Sequence, residues 1–386
     1  MLSINDQQAT NIVDFFRSLP DPRSHINRHH LLGDVIVICI CAIVANADGP
    51  TSIAVWAKLN EAWLRQHLEL PHGIPAKDTF RRVLSALRPS AFRECFGQWI
   101  DSLDFLTDDE KAQQKKHIAI DGKVMRRSHD KKKGLGALVI VGAWASDCGI
   151  SLGQVATDAK SNEITAIPQL LQEINFENAI VTIDAAGCQK NIAQQIIDGS
   201  GDYVLSLKGN HPNLFQAVGA LFETHLEDES KNRSVSRYEE IEQGHGRIEQ
   251  RIYYQMTVPR NLPGRQEWAG LKTIGAAIRI YEKDGVEKSD VRYYLSSLGR
   301  NGRQFAHAVR SHWGIENTLH WSLDMTFRED ESRVRDRHIA ENLSWLRRLT
   351  LSLIKQHPAK TSYIMKRRMS GWSVGFLMQV LTGKHS

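Results

Sequence analysis

A chain of 386 residues with 41% hydrophobic content can build two or three domains around a sizeable core. Its formal net charge of +5 is small for that length, so composition excludes a polycation but leaves nucleic-acid binding to the distribution of charge. Five cysteines, Cys39, Cys41, Cys95, Cys148 and Cys188, follow no disulfide or zinc spacing and read as small buried hydrophobes.

In chain order, residues 1 to about 110 read as a helical domain. Amphipathic spacing predicts a helix over 9–19, followed by the turn at 19–23. An apolar helix near 32–47 is shorter than the ~20 residues that cross a bilayer. The N-terminus is polar and mildly acidic, unlike a signal peptide, so the chain is expected to be soluble and cytoplasmic, with no membrane partner. Further helices are expected over 52–68, 77–87 and 89–103. The helix over 77–87 carries Arg81 and Arg82 just after its start, and reads equally as a DNA-binding helix or an exposed support helix.

From Lys116 the periodicity changes. Strands are expected up to Asp121, over 138–145 and over 150–156, then a helix at 163–174, a strand ending at Asp184, a helix at 189–198 and a strand at 203–207. That order outlines an α/β, ribonuclease-H-like mixed sheet within a catalytic domain spanning 111–386. Between about 210 and 300, a helix at 212–227 precedes strand-like runs at 247–258, 271–282 and 291–296, an inserted and mostly β region. Helices return from about 303 to the end.

Three acids carry the chemistry. Asp121 ends the run His-Ile-Ala-Ile, Asp184 ends Ala-Ile-Val-Thr-Ile, and Glu316 lies within Arg-Ser-His-Trp-Gly-Ile-Glu-Asn-Thr-Leu-His-Trp. Two carboxylates at strand ends and one on a helix can hold a pair of divalent ions roughly 3.5–4 Å apart beside a phosphodiester. Either aspartate taken alone also reads as a turn or helix cap. His312, Glu316 and His320 fall at i, i+4 and i+8, on one face of a helix. This is not the His-Glu-x-x-His zinc pattern, and the histidines read as phosphate contacts, as supports for the glutamate, or as structural groups. Asp324 lies two turns beyond Glu316 and can compete with it as a ligand. Candidate DNA contacts are Lys123, Arg126, Lys208, Arg247, Arg310, His312, His320, Arg333 and Arg335. The turn that includes Gly244 and Arg247 lacks the spacing and lysine of a nucleotide-binding loop.

Across nearly the whole chain, the ordered segments FFRSLPDPR, DTFRRVLSAL, IAIDGK, SNEITAIPQLL, VTIDAAGCQ, DYVLSLKGN, GHGRIEQR and HWGIENTLHWSLDMTFREDESRVR resemble the ISAs-type insertion-sequence transposases, including the H-repeat-associated proteins. The resemblance implies a DDE catalytic domain of ribonuclease-H-like fold and a helical N-terminal associated region. Its catalytic, metal-holding acids carry over onto Asp121, Asp184 and Glu316. It also implies Mg²⁺ as cofactor, with Mn²⁺ as a substitute, and double-stranded DNA as partner: terminal inverted repeats and target DNA, held by a homodimer in a synaptic complex. Cleavage at element ends would be followed by 3′-hydroxyl attack on target DNA, in a bacterial host. The alternative is a transpositionally inactive, DNA-binding remnant of a mobile element. Around Glu316 the chain has Val309, His312 and Leu323 at the spacings where related cut-and-paste enzymes carry tyrosine, arginine and lysine.

Overall fold

The computed structural model describes residues 19–102, 115–157, 163–227, 235–244, 247–283 and 286–383. The helix expected over 9–19, apart from Leu19, and the turn tip at 245–246 lie outside them.

The N-terminal third is helical: α1 (Leu32–Val44), α2 (Pro50–Leu59), α3 (Glu61–Leu64), α4 (Lys77–Ala86) and α5 (Pro89–Ser102). Every residue of α1 is buried: its sequence Leu-Gly-Asp-Val-Ile-Val-Ile-Cys-Ile-Cys-Ala-Ile-Val is apolar but for Asp34, whose Oδ2 accepts from the Leu70 backbone N–H at 2.9 Å. The one long helix expected over 52–68 is instead α2 and α3. They part at Asn60, whose amide side chain donates to Trp56 O at 2.9 Å and competes with the helical ladder.

The central sheet contains β1 (Lys116–Met125), β2 (Leu138–Ala145), β3 (Ile150–Thr157), β4 (Ala179–Ile183), β5 (Asp202–Leu207), β6 (Val235–Gly244), β7 (Arg247–Thr257), β8 (Thr273–Lys283) and β9 (Val286–Ser296). Its spatial order is β3-β2-β1-β4-β5-β9-β8-β7-β6. The first five strands form the expected ribonuclease-H-like unit: β3, β2 and β1 are antiparallel neighbours, while β1, β4 and β5 run parallel. Helices α6 (Glu163–Glu173) and α7 (Lys190–Asp198) make the connections to β4 and β5 that parallel pairing requires. After α8 (Pro212–Glu227), the inserted strands continue the same sheet, because β9 pairs antiparallel with β5 through Leu205 and Leu295.

Two strand boundaries differ from expectation. β1 runs past Asp121 and stays paired to β2 as far as Met125 and Leu138, so Asp121 is a mid-strand residue. β9 begins at Val286, and the first seven of its residues are exposed, leaving no period-2 burial for the sequence to display. β6 is equally polar and had no strand signal.

Helix α9 (Gly302–Gly314) lies across β1 and β4, and passes without a break into a π-helical turn (Ile315–His320) and α10 (Trp321–Phe327). Then follow α11 (Arg337–Gln356), α12 (Tyr363–Trp372) and α13 (Val374–Thr382). One hydrophobic core joins α1, α2 and α4 to the π turn, α10, α11 and α13, while a second fills the opposite face of the sheet beneath α6, α7 and α8. Arg367 stitches the first core together. Only 1% exposed, it donates to Ile43 O (2.9 Å), Ala47 O (3.2 Å) and Thr326 O (2.7 Å), and its guanidinium lies 4.2 Å from the centre of the Phe327 ring. A cation is thereby placed on the carbonyl ends of α1 and α10, where the helix dipole favours it.

Candidate active site

Strand register brings the first two acids together. Parallel pairing aligns Ile120 of β1 with Ile183 of β4, so Asp121 and Asp184 follow at one level on strands about 4.8 Å apart. Alternation along β1 turns His117, Ala119, Asp121 and Lys123 toward α9–α11, while Ile118 and Ile120 enter the core on the other face. Asp184 stands just past the end of β4, and its Oδ1 accepts from the backbone N–H of Ala186 (3.0 Å) and Gly187 (3.3 Å). It therefore caps the turn with one oxygen, leaving Oδ2 outside that cap.

Glu316 arrives from above, exposed, in the π turn. Because residues 315–320 are π-helical, the simple α-face spacing expected for His312, Glu316 and His320 does not hold across this stretch. Both histidines nevertheless face the sheet. His312 Nδ1 lies 3.1 Å from Thr182 Oγ1, and His320 Nδ1 lies 3.6 Å from Asp121 Oδ2. Burial depresses His312 to about 4, and burial together with the cations of Arg348 and Lys123 depresses His320 to about 3. At neutral pH both are uncharged imidazoles, His320 beside Asp121 and His312 on Thr182.

Asp121 carries the electrostatic mark of the site. Burial, then the carboxylates of Asp184, Glu316 and Glu163, push its carboxyl up to about 7 against the Gly122 N–H that stabilises the anion. Glu163 was not among the sequence candidates. It opens α6, is 4% exposed and sits over Gly122, where an added Cβ would come within 2.4 Å of its Oε1. In sequence it reads as an ordinary acid in the first turn of a helix; only the close approach permitted by Gly122 brings it beside Asp121. Arg348 was also missed. It is fully buried on α11 under Gly142, the β2 partner of Asp121, and neither of its terminal nitrogens has a hydrogen-bond partner among the described residues. A charge so placed offsets the carboxylates above it.

The remaining candidates separate by location. Lys123 is buried and pairs with Asp324 (2.7 Å) and Asp330 (3.0 Å), and Arg126 pairs with Asp330 at 3.0 Å. Asp324 is therefore engaged by a lysine. Lys208 is exposed just beyond β5, at the same strand-end rim as Asp184. Arg333 and Arg335 are exposed between α10 and α11. Arg247 opens β7, and its side chain lies outside the described residues. Arg310 pairs with Glu242 and lines a cleft of about 260 Å³ with Arg251, Arg279, Arg292 and Trp313, open beside Asn317, the neighbour of Glu316. Arg292 lies 4.3 Å from the centre of the Trp313 ring. Those three further arginines were invisible as a group in the sequence, since they converge only through the β7–β8–β9 register.

Two family models match the chain. Residues 13–100 match a DDE_Tnp_1-associated model and residues 112–353 match the model described as transposase DDE domain. Two Escherichia coli proteins named as transposases align over almost the full length. YncI of strain O157:H7 is 37% identical over 96% of this chain and 94% of its own, and the H repeat-associated YhhI of strain K12 is 34% identical over 97% and 99%. A solved piggyBac transposase synaptic complex with hairpin DNA is a distant neighbour, at 10% identity and a TM-score of 0.40 over 97% of this chain and 80% of its own. Among the described residues, no helix is long and apolar enough to cross a membrane.

Proposed function

Because the chain belongs to the transposase DDE-domain family, we propose that it cuts DNA at the ends of an insertion element and joins the freed 3′-hydroxyl to target DNA, with Asp121, Asp184 and Glu316 as the catalytic acids. The observation that carries this reading is the convergence on Asp121: register sets Asp184 beside it, and the charge of Glu316 helps raise its carboxyl to about 7. Carboxylates crowded this way are unfavourable without a cation. The donor set is all oxygen, which fits a hard divalent ion such as Mg²⁺, with Mn²⁺ as substitute. When bound, such an ion lowers the pKa of the attacking water or 3′-hydroxyl and stabilises the charge on the leaving oxygen.

The chain's own groups do the rest. Asp184 is held by two backbone N–H groups, so its carboxylate meets the ion in a fixed orientation. Neutral His320 and His312 keep Asp121 and the π turn in place without competing for the cation. Lys208 and the arginine cleft lie on the open side, where phosphates of the DNA ends would enter, and Arg333 and Arg335 extend the basic surface. The chain would act on double-stranded DNA as a homodimer that pairs two element ends.

The test is Mg²⁺-dependent cleavage of DNA bearing the flanking inverted repeats, comparing the native chain with Asp184→Asn and Glu316→Gln. End-specific cutting should fall by about a thousandfold in each, a loss of roughly 4 kcal/mol of transition-state stabilisation. End binding without cutting by the native chain would support a DNA-binding remnant instead. Cutting that survives both substitutions would remove these acids from the mechanism.

A further inference from the structure

Away from the carboxylates, the same two elements bring together a second set of metal-ligating groups. His117 lies four residues before Asp121 on β1, and His307 lies nine residues before Glu316 on α9. At about 3.3 Å per strand residue and 1.5 Å per helical residue, both stand roughly 13 Å from the acids. Asp147, in the turn between β2 and β3, completes the group, and one ligand atom from each of the three lies within 4.8 Å of the others.

The cluster is built, not incidental. The backbone N–H of His117 donates to Asp147 Oδ2 at 2.9 Å, and the same oxygen lies 3.2 Å from His117 Nδ1. The turn is tied to β1 by Ser146 N–H donating to His117 O (2.9 Å), and to α9 by Ser146 Oγ donating to Ser311 O (2.9 Å). With its Nδ1 proton facing Asp147, His117 presents the Nε2 lone pair toward His307, whose Nδ1 is 3.2 Å away. Two nitrogens on one tetrahedral ion with bonds of about 2.0–2.1 Å are separated by about 3.3 Å, so the two rings already stand at that spacing. A carboxylate behind a histidine ligand is the usual means of fixing its tautomer and raising its basicity. His117 is buried, whereas His307 and Asp147 are exposed, which gives an ion a route in and room for water ligands.

We propose that His117 Nε2 and His307 Nδ1 bind a borderline transition ion, Zn²⁺ in the first instance, with Asp147 holding the His117 ring and water completing the coordination, so that the ion clips α9 to β1. Imidazole donors select such ions over Mg²⁺, so the site is chemically distinct from the all-oxygen site and does not depend on the activity assigned there. Without an ion, the same three groups make a hydrogen-bonded chain from Asp147 through His117 to His307, and the experiment must separate the two.

The measurement is zinc titration of the chelator-treated, desalted full-length chain by calorimetry, with bound metal counted by mass spectrometry. Co²⁺ absorption reports the ligand geometry. Four chains are compared: native, His307→Ala, Asp147→Asn, and Asp121→Asn as the control for the carboxylate site. The native and Asp121→Asn chains should each take up an equivalent of Zn²⁺ that millimolar Mg²⁺ does not displace, with a rise in Tm. Binding should weaken at least tenfold in Asp147→Asn and disappear in His307→Ala, whose exposed position leaves folding intact by circular dichroism. Absence of this zinc equivalent from the native chain, or its full retention in His307→Ala, would overturn the proposal and leave the cluster as a hydrogen-bonded relay.

Discussion

Asp121 sets how the site responds to pH. Its carboxyl is raised from 3.8 to about 7, so the folded chain holds that proton more tightly than the unfolded chain does. The resulting stabilisation is present below the unfolded value and is lost as pH rises through about 7. If the acids hold Mg²⁺ as proposed, the ion would bind only the deprotonated site and should raise Tm more at about pH 8 than at about pH 5. Glu341, raised by burial to about 7 as well, titrates in the same window, so the residue is isolated by comparison with Asp121→Asn, which should flatten the Mg²⁺ effect. Equal Mg²⁺ shifts at the two pH values would count against Asp121 as a ligand. Gly122 offers a second test, since any Cβ there meets the buried Glu163. Gly122→Ala should cost about 1–3 kcal/mol, typical of overpacking, and adding Glu163→Ala should recover part of it in a denaturation double-mutant cycle. Strict additivity would mean the two residues do not meet. Asp121 and Asp184 stood out as candidates because each follows an apolar run, and Glu316 because it lies in a dense stretch of histidine, tryptophan and polar residues. Glu163, Arg348 and the cleft arginines were not, since only tertiary approach and strand register give them their neighbours.

Among elements, those with periodic burial were readable and those without it were not. The fully buried α1, apolar but for Asp34, and the buried strands β2 and β4 fell where hydrophobicity placed them. β6 and the exposed half of β9 carry charge on both faces and take their conformation from pairing with neighbours. The π turn is the opposite case: an apolar pattern continuous with α9 predicted plain helix, and the wider winding at Glu316 has no periodic signature. At helix ends, Arg367 is the element most exposed to test. Removing it takes the guanidinium donors from the carbonyls of Ala47 and Thr326, and from Ile43 O, which keeps only the Asn46 N–H. Arg367→Ala should destabilise the chain by roughly 3 kcal/mol or more in urea unfolding, and Arg367→Lys should recover only part because one ammonium cannot span the three carbonyls. A loss below about 0.5 kcal/mol would show that these bonds contribute little.

For the molecule as a whole, the two blocks seen in sequence do not correspond to two independent cores. The ribonuclease-H-like strand order was readable from the alternation of strands and helices, but the shared packing of α1, α2 and α4 with α11 and α13 was not, because it joins segments some three hundred residues apart. A chain starting near residue 115 would expose the apolar face of α11 that Phe80, Leu84 and the α1 side chains cover. It should be recovered mainly as aggregate, and a soluble, cooperatively melting fragment would contradict the shared core.

Arg367 and the helices around it also bear on how the polypeptide is made. α1 leaves the ribosome some three hundred residues before much of what encloses it. Until those residues are made, a helix apolar but for Asp34 must wait without its partners, at a contact separation that slows closure. Copies shortened by a late frameshift would lose that enclosure, so they should be degraded instead of surviving as partial proteins that occupy element ends.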